Sequence, residues 1–184
     1  SSVQNKYNLY SDISTFGKSF GNSFPIGFIG ISKKIEKIIK KKKSKVFFGG
    51  TFSANSFSTY LANETLKFLI KNKKRIFHEL ELKSEKFFTE LNNNVLKKKL
   101  CVKVIRFKSI IRIIFSNKNV KNRLQRDIFE KKNNLKKIKF INFLKKKNII
   151  YPANGIIFLN TSFSINEIKY IIKIITKGLN IYFQ

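Results

Sequence analysis

Two short stretches hold the residues that could do chemistry. Lys18 sits in Ser14-Thr15-Phe16-Gly17-Lys18-Ser19-Phe20-Gly21-Asn22-Ser23-Phe24-Pro25 and is the one positive charge between Asp12 and Lys33. A lysine among small and apolar residues is expected to be partly desolvated. Desolvation disfavours the ammonium and lowers its pKa, which leaves the free amine that Schiff-base chemistry requires. The competing reading is a lysine whose stem crosses a turn while its head stays in water. The second stretch is Phe48-Gly49-Gly50-Thr51-Phe52-Ser53-Ala54-Asn55. Its glycines allow close backbone approach, Thr51 offers a hydroxyl, and a helix start offers unpaired N–H groups. That combination suits a phosphate, although most strand–turn–helix junctions bind nothing.

Other chemistries find little support. The ten acids are Asp12, Glu36, Glu64, Glu79, Glu81, Glu85, Glu90, Asp127, Glu130 and Glu167. They are scattered among lysines, so a hydrolase built on paired carboxylates is unsupported. His78 lies between charged neighbours and reads as solvated. One histidine and one cysteine cannot build a zinc site. Cys101 opens a predicted strand and is expected to be a small core residue. Gly17-Lys18 lacks the upstream glycine of a Walker phosphate loop.

The chain has 184 residues, with 39 basic and 10 acidic side chains and a formal charge of +29. The five arginines are Arg75, Arg106, Arg112, Arg123 and Arg126, which leaves 34 lysines. With 42% hydrophobic residues the chain is too apolar for a disordered polycation. The lysine excess reads mainly as solvated faces. A lysine-rich nucleic-acid-binding protein is the alternative, and the scarcity of arginine, the residue suited to bidentate base readout, argues against it. Ser1–Ser11 does not read as a signal peptide, and apolar stretches are too interrupted to span a membrane. The expectation is a cytoplasmic protein.

The positions without charge are the more informative ones. Ser19–Ser32, Val46–Asn63 and Asn148–Asn166 carry none, and together they make up 51 residues. In so lysine-rich a chain they read as core or as walls of a site, where an unpaired charge costs too much.

The elements that must position these residues follow from periodicity and turn chemistry. Strands are expected over Asp12–Phe16 and Pro25–Ile31, the second one buried. A short basic helix over Ser32–Lys42 turns Ile35, Ile38 and Ile39 inward. Val46–Phe48 forms a strand ended by Gly49-Gly50. A helix from Ala54 to about Lys71 buries Phe57, Leu61, Phe68 and Leu69. A second, from Ile76 to about Lys99, aligns Phe77, Leu80, Phe88, Leu91 and Val95. Leu100–Phe107 and Ser109–Phe115 read as paired strands, and Asn122–Lys147 as basic helix. Ile149–Tyr151 and Ile156–Leu159 are strand pieces around a Pro-Ala-Asn-Gly turn. A final helix opens with the capping box Ser164-Ile165-Asn166-Glu167 and stops at Gly178. This order predicts the end of an α/β domain over residues 1–75 and an α+β domain over residues 76–184.

Gly17-Lys18, then Gly-x-x-x-Pro-apolar-Gly, then Gly50-Thr51 within Gly-Gly-Thr-Phe-Ser-x-Asn, resembles the class III pyridoxal-phosphate-dependent aminotransferases. The glutamate-1-semialdehyde aminomutase branch is the nearest. Arg106–Phe115 and Asn148–Ser162 resemble the family's C-terminal strands. The resemblance implies a fold type I transferase: the C-terminal part of the large domain, followed by the small C-terminal domain. It implies that Lys18 forms a Schiff base with pyridoxal 5'-phosphate and carries a proton during catalysis. It implies that Gly50 and Thr51 bind the phosphate, with Thr51 supplied by the other subunit of a homodimer. The substrate implied is a small amino acid or amino-aldehyde.

Gly21-Asn22-Ser23-Phe24 departs from the family's more usual glycine run, and Ser53-Ala54-Asn55-Ser56 from Ser-Gly-Asn-Pro. Arg112, on a predicted strand, reads as structural. The family's aspartate that protonates the pyridine nitrogen lies upstream of the lysine, and Asp12 is too close to Lys18 to take that role. The resemblance therefore implies less than half of a subunit, with an apolar surface left for the remainder to cover.

Overall fold

The computed structural model describes residues 4, 7–41, 49–51 and 53–184. The chain divides into two compact units, Ser1–Lys73 and Lys74–Gln184.

In the first unit, β1 (Ile13–Gly17) pairs antiparallel with β2 (Gly27–Ile31), in a register that sets Ile13 opposite Ile31 and Phe16 opposite Phe28. A 3-10 turn over Lys18–Gly21 leads out of β1. Asn22 and Ser23 then reverse the chain at φ 46° and 78°. Phe16 and Phe28 stack at 4.9 Å, with Phe20 edge-on to Phe28 at 5.5 Å. Ser32 Oγ donates to Asp12 Oδ1 at 2.8 Å and ties the far end of the ribbon. α1 (Lys33–Lys41) follows. β2 is exposed along all five residues, contrary to the buried strand expected. Among the described rings outside the strands, Phe20 alone packs on the two-stranded ribbon, which leaves β2 open to solvent. α1 likewise buries no residue, and Ile38 faces solvent. The strand expected over Val46–Phe48 lies outside the described residues.

One helix, α2 (Ser56–Lys97), replaces the two expected. Lys71-Asn72-Lys73-Lys74-Arg75 changes composition but contains no proline or glycine, and lysine, asparagine and arginine are all tolerated inside a helix. Phe57, Phe68 and Phe77 are exposed, while Phe87, Leu91 and Val95 are buried.

The second unit has a real core. β3 (Lys103–Phe107), β4 (Ile110–Ile114) and β5 (Ile156–Phe158) form an antiparallel sheet in the order β3-β4-β5. The basic stretch expected as one helix is two: α3 (Arg123–Lys131) and α4 (Asn134–Lys145). α5 (Ile165–Phe183) closes the unit. Phe87 and Leu91, Ile111 and Ile113, Phe140 and Leu144, and Ile168 and Leu179 come from four of these elements, and all are fully buried. The capping box forms as expected, with Ser164 N donating to Glu167 Oε2 at 2.7 Å. The helix does not stop at Gly178. A Cβ there would lie 2.8 Å from Phe143 Cδ1 and 2.9 Å from Phe140 Cδ2, so the glycine lets α5 pass against α4. Cys101 is exposed, not core: its N–H donates to Phe183 O at 2.6 Å while the side chain turns outward. Ile149–Tyr151 is not strand, and Tyr151 instead buries its ring and donates to Gly155 O at 3.2 Å.

Candidate functional site

The end of β1 sets where Lys18 stands. Gly17 has no room for a side chain: a Cβ there would lie 2.9 Å from Ile26 O. That close approach brings the segment after β1 against Pro25-Ile26. Lys18 itself adopts φ 59°, in the left-handed region that a lysine enters at a cost. Backbone strain of this kind concentrates where a fold must aim a side chain.

The second stretch is built by a turn and a cap. Ser53 N donates to Gly50 O at 2.9 Å, which closes a turn around Thr51. A Cβ on Gly50 would meet Ser53 Oγ at 3.2 Å. Ala54 takes φ 54° to leave the turn. Asn55 then caps α2, its Oδ1 accepting from Ser58 N at 3.0 Å, and its carbonyl accepting from the Thr59 hydroxyl.

These pieces surround one cavity of about 760 Å³. Lys18, Gly50 and Thr51 all line it, with Phe24 to Phe28 on one side and Ser53, Ala54, Asn55, Ser58 and Thr59 on the other. Apart from Lys18, every lining residue belongs to the first two uncharged segments. Among the described residues, Lys18 is thus the one charged side chain on the wall. The third uncharged segment does different work: it contributes buried Tyr151 and Leu159 to the core of the second unit.

The structure corrects one expectation here. Lys18 is exposed rather than partly desolvated. The physical reason is the same as for β2: no described layer of the first unit covers the ribbon. Phe24, Phe28, Ser58 and Thr59 were not singled out as site residues from the sequence. Their membership in the uncharged segments was the signal available.

One lysine, the hydroxyls of Thr51, Thr59, Ser53 and Ser58, and glycine backbone make a wall suited to a compact anion with an attached ring. Phe24, Pro25 and Phe28 offer the apolar part. Pyridoxal phosphate has both features, and no carboxylate on the wall opposes its phosphate. Groups of His, Cys, Asp and Glu that could hold a metal are absent among the described residues.

Two charged clusters in the second unit are structural. Arg106 joins Glu81 at 2.9 Å and also Glu85, while Ser84 donates to Lys108 O beneath them. Burial pushes the Glu81 carboxyl up, but hydrogen bonds from Lys108 and Arg106 outweigh it and hold the group below its ordinary range. Arg112 reaches Glu130 at 3.5 Å, and Glu130 Oε1 accepts from Phe115 N at 3.2 Å, pinning α3 to β4. Arg112 thus serves the fold, as expected. No described helix is long and apolar enough to cross a membrane.

No protein-family profile matches the chain. Curated relatives do. Glutamate-1-semialdehyde 2,1-aminomutase of Wigglesworthia glossinidia brevipalpis is 32% identical over 152 residues, covering 83% of this chain and 34% of the relative. The enzyme of the same name from Clostridium novyi is 25% identical over 177 residues, 93% of this chain and 39% of the relative. Among solved structures, a glutamate-1-semialdehyde aminomutase (K286A) from Pseudomonas aeruginosa PAO1 in complex with PMP superposes with TM-score 0.82 at 13% identity, over 98% of this chain and 41% of that one. A β-phenylalanine aminotransferase from Variovorax paradoxus gives TM-score 0.79 at 18% identity, over 95% and 40%. The chain therefore spans between one third and two fifths of the length of these relatives. It has the fold of the C-terminal part of the pyridoxal-phosphate-dependent aminotransferases.

Proposed function

From the chain's kinship with the class III pyridoxal-phosphate-dependent aminotransferases, aminomutase branch, we propose that it supplies the lysine-bearing side of an enzyme that moves an amino group on a small amino acid or amino-aldehyde. Pyridoxal 5'-phosphate, when bound, supplies an aldehyde that condenses with amines and a ring that accepts an electron pair. Lys18 Nζ would be the amine that holds the cofactor, and afterwards the base and acid that moves the proton at the reacting carbon. Thr51 and the Gly50 backbone would hold the phosphate. Phe24 and Phe28 would exclude water from that wall. The first unit would then be the C-terminal part of a large, cofactor-binding domain, and the second unit the small C-terminal domain.

The observation that carries this reading is the company Lys18 keeps. Among the described lysines, Lys18 alone lines the cavity that Gly50 and Thr51 also line. Borohydride reduction after incubation with pyridoxal phosphate tests it. The label should fall on Lys18 and be lost in Lys18→Ala. RNA binding that is steeply salt-dependent and indifferent to Lys18→Ala, with no selective labelling, would favour the polycation reading instead.

We propose further that the working form is a homodimer in which Thr51 of one copy serves Lys18 of the other. Mixing Lys18→Ala and Thr51→Val chains distinguishes the arrangements. Shared sites leave one intact site in each mixed dimer and restore part of the cofactor binding. Sites built within one chain restore none.

A further inference from the structure

Two helices of the second unit have outer sides that do not fit a merely solvated surface. α3 is amphipathic the wrong way round. The residue it buries is Glu130, which accepts from Phe115 N and meets Arg112. Leu124 and Ile128, one turn apart on its other side, are 70% and 53% exposed. α4 is apolar on both sides. Phe140 and Leu144 are fully buried. At about 3.6 residues per turn, Leu135, Ile138 and Asn142 fall on the opposite side, and Leu135 is 77% exposed. A helix that serves only a core is polar on its outer face. The charge around these side chains is one-sided. Residues 118–147 hold twelve basic side chains against Asp127 and Glu130. Both acids are taken, Glu130 by Arg112, and Asp127 by Arg126 at 2.6 Å and Arg123 at 3.5 Å. Lys118 and Lys137 lie over the rings of Phe129 and Phe115, but Lys131, Lys132, Lys136 and Lys139 are exposed, as is the lysine run at 145–147. The exposed Leu82 on α2, by contrast, stands in sequence among Glu79, Glu81 and Glu85.

We infer that the outer sides of α3 and α4 bind the surface of an anionic phospholipid bilayer. The aliphatic side chains enter the boundary between headgroups and acyl chains, and the lysines meet the lipid phosphates. Both signals are needed, because a short apolar contact alone gives marginal attachment that a polybasic patch makes stable. This is attachment in the plane of the interface, without crossing. Nucleic acid is the poorer occupant. Base stacking uses aromatic rings and arginine, whereas the exposed large side chains here, Leu124, Ile128, Leu135 and Ile138, are aliphatic. A second copy of this chain brings the same positive charge to the contact and is repelled. The inference rests on exposure and charge in the second unit, and not on the cofactor.

Flotation of the 184-residue chain with vesicles tests it, without cofactor. The probes are vesicles of phosphatidylcholine alone and of phosphatidylcholine with phosphatidylserine. The expected result is binding to the second kind and little to the first. Leu124→Gln and Leu135→Gln should each weaken that binding by about tenfold, as apolar contact is lost. Lys136→Gln and Lys139→Gln should each weaken it by about fivefold. All four side chains are exposed, so the thermal transition of the second unit should stay in place. Ile29→Gln, at an exposed aliphatic side chain of the first unit, is the control and should bind as the parent chain does. No binding to the phosphatidylserine vesicles, or equal binding to both kinds, overturns the inference. So does binding that the lysine variants weaken and the leucine variants leave alone, which is the behaviour of a plain polycation. A loss in Ile29→Gln equal to that in Leu135→Gln overturns it as well. Polyuridylate is measured in parallel: a complex tighter than that with the vesicles, and weakened by Leu124→Gln and Leu135→Gln, would assign the surface to nucleic acid instead.

Discussion

The second unit wraps a three-stranded sheet with α4, α5 and the end of α2, and side chains such as Phe87, Ile113, Phe140 and Ile175 lose nearly all contact with water. The first unit holds a two-stranded ribbon, a short basic helix and the start of α2, and leaves Phe16, Ile29, Phe57 and Phe68 exposed. Both come from the same lysine-rich composition. The difference is in what their uncharged segments touch. In the second unit, Asn148–Asn166 supplies core. In the first, Phe24–Phe28 and residues between Gly50 and Thr59 line a cavity. Missing charge in a polycationic chain therefore marks two things, packing and site, and only the neighbouring elements tell them apart.

Substitutions can break or sharpen that contrast. The largest effect is expected from Phe87→Ala, which should cost about 3–5 kcal/mol of unfolding free energy; Phe16→Ala, at a side chain that is 41% exposed, should leave the same thermal transition almost unmoved. Glu130→Ala comes next. It strands the Arg112 guanidinium, whose Nε already has no partner, and removes the acceptor for Phe115 N. Breaking a buried pair in this way costs roughly 3 kcal/mol, and Glu130→Gln, which can still accept from Phe115 N, should cost less. Denaturant midpoints of the two variants measure the difference.

Gly178→Ala should cost about 1–3 kcal/mol through overpacking, in spite of the roughly 1 kcal/mol that alanine gains over glycine in helix propensity. A stabilised variant would show that α4 and α5 are less closely packed than the 2.8 Å approach of Phe143 implies. The smallest effect is electrostatic. Glu81 is held below its ordinary range in the folded chain. Its contribution is therefore full above the unfolded carboxylate pKa and is lost as pH falls through the lower folded value. Stability of the second unit should decline in that acid window, and Glu81→Gln should flatten the decline.

Much of the fold was legible in the sequence. The β3–β4 pairing was visible in Leu100–Phe115, and the Ser164 capping box marked the start of α5. Errors arose where a local signal had two physical meanings. Gly178 read as a stop, but its missing Cβ serves packing against Phe140 and Phe143. Lys71–Arg75 read as a break because its charge changed, although charge does not end a helix. Pro25–Ile31 read as buried from composition, which was right about its chemistry and silent about whether a covering layer lies within this chain. Lys18, Gly50 and Thr51 were legible as a pair of motifs, and the structure adds that they line one cavity. The left-handed backbone at Lys18 was not legible, because no residue type at that position signals a positive φ.

The central claim is that the cavity between the end of β1 and the start of α2 holds pyridoxal phosphate through Lys18. Borohydride trapping with peptide mapping, on the 184-residue chain incubated with pyridoxal phosphate, addresses it most directly. The account predicts label concentrated on Lys18, diminished in Thr51→Val and absent from that position's peptide in Lys18→Ala. Label on exposed lysines such as Lys33 at the same level as on Lys18 would contradict it.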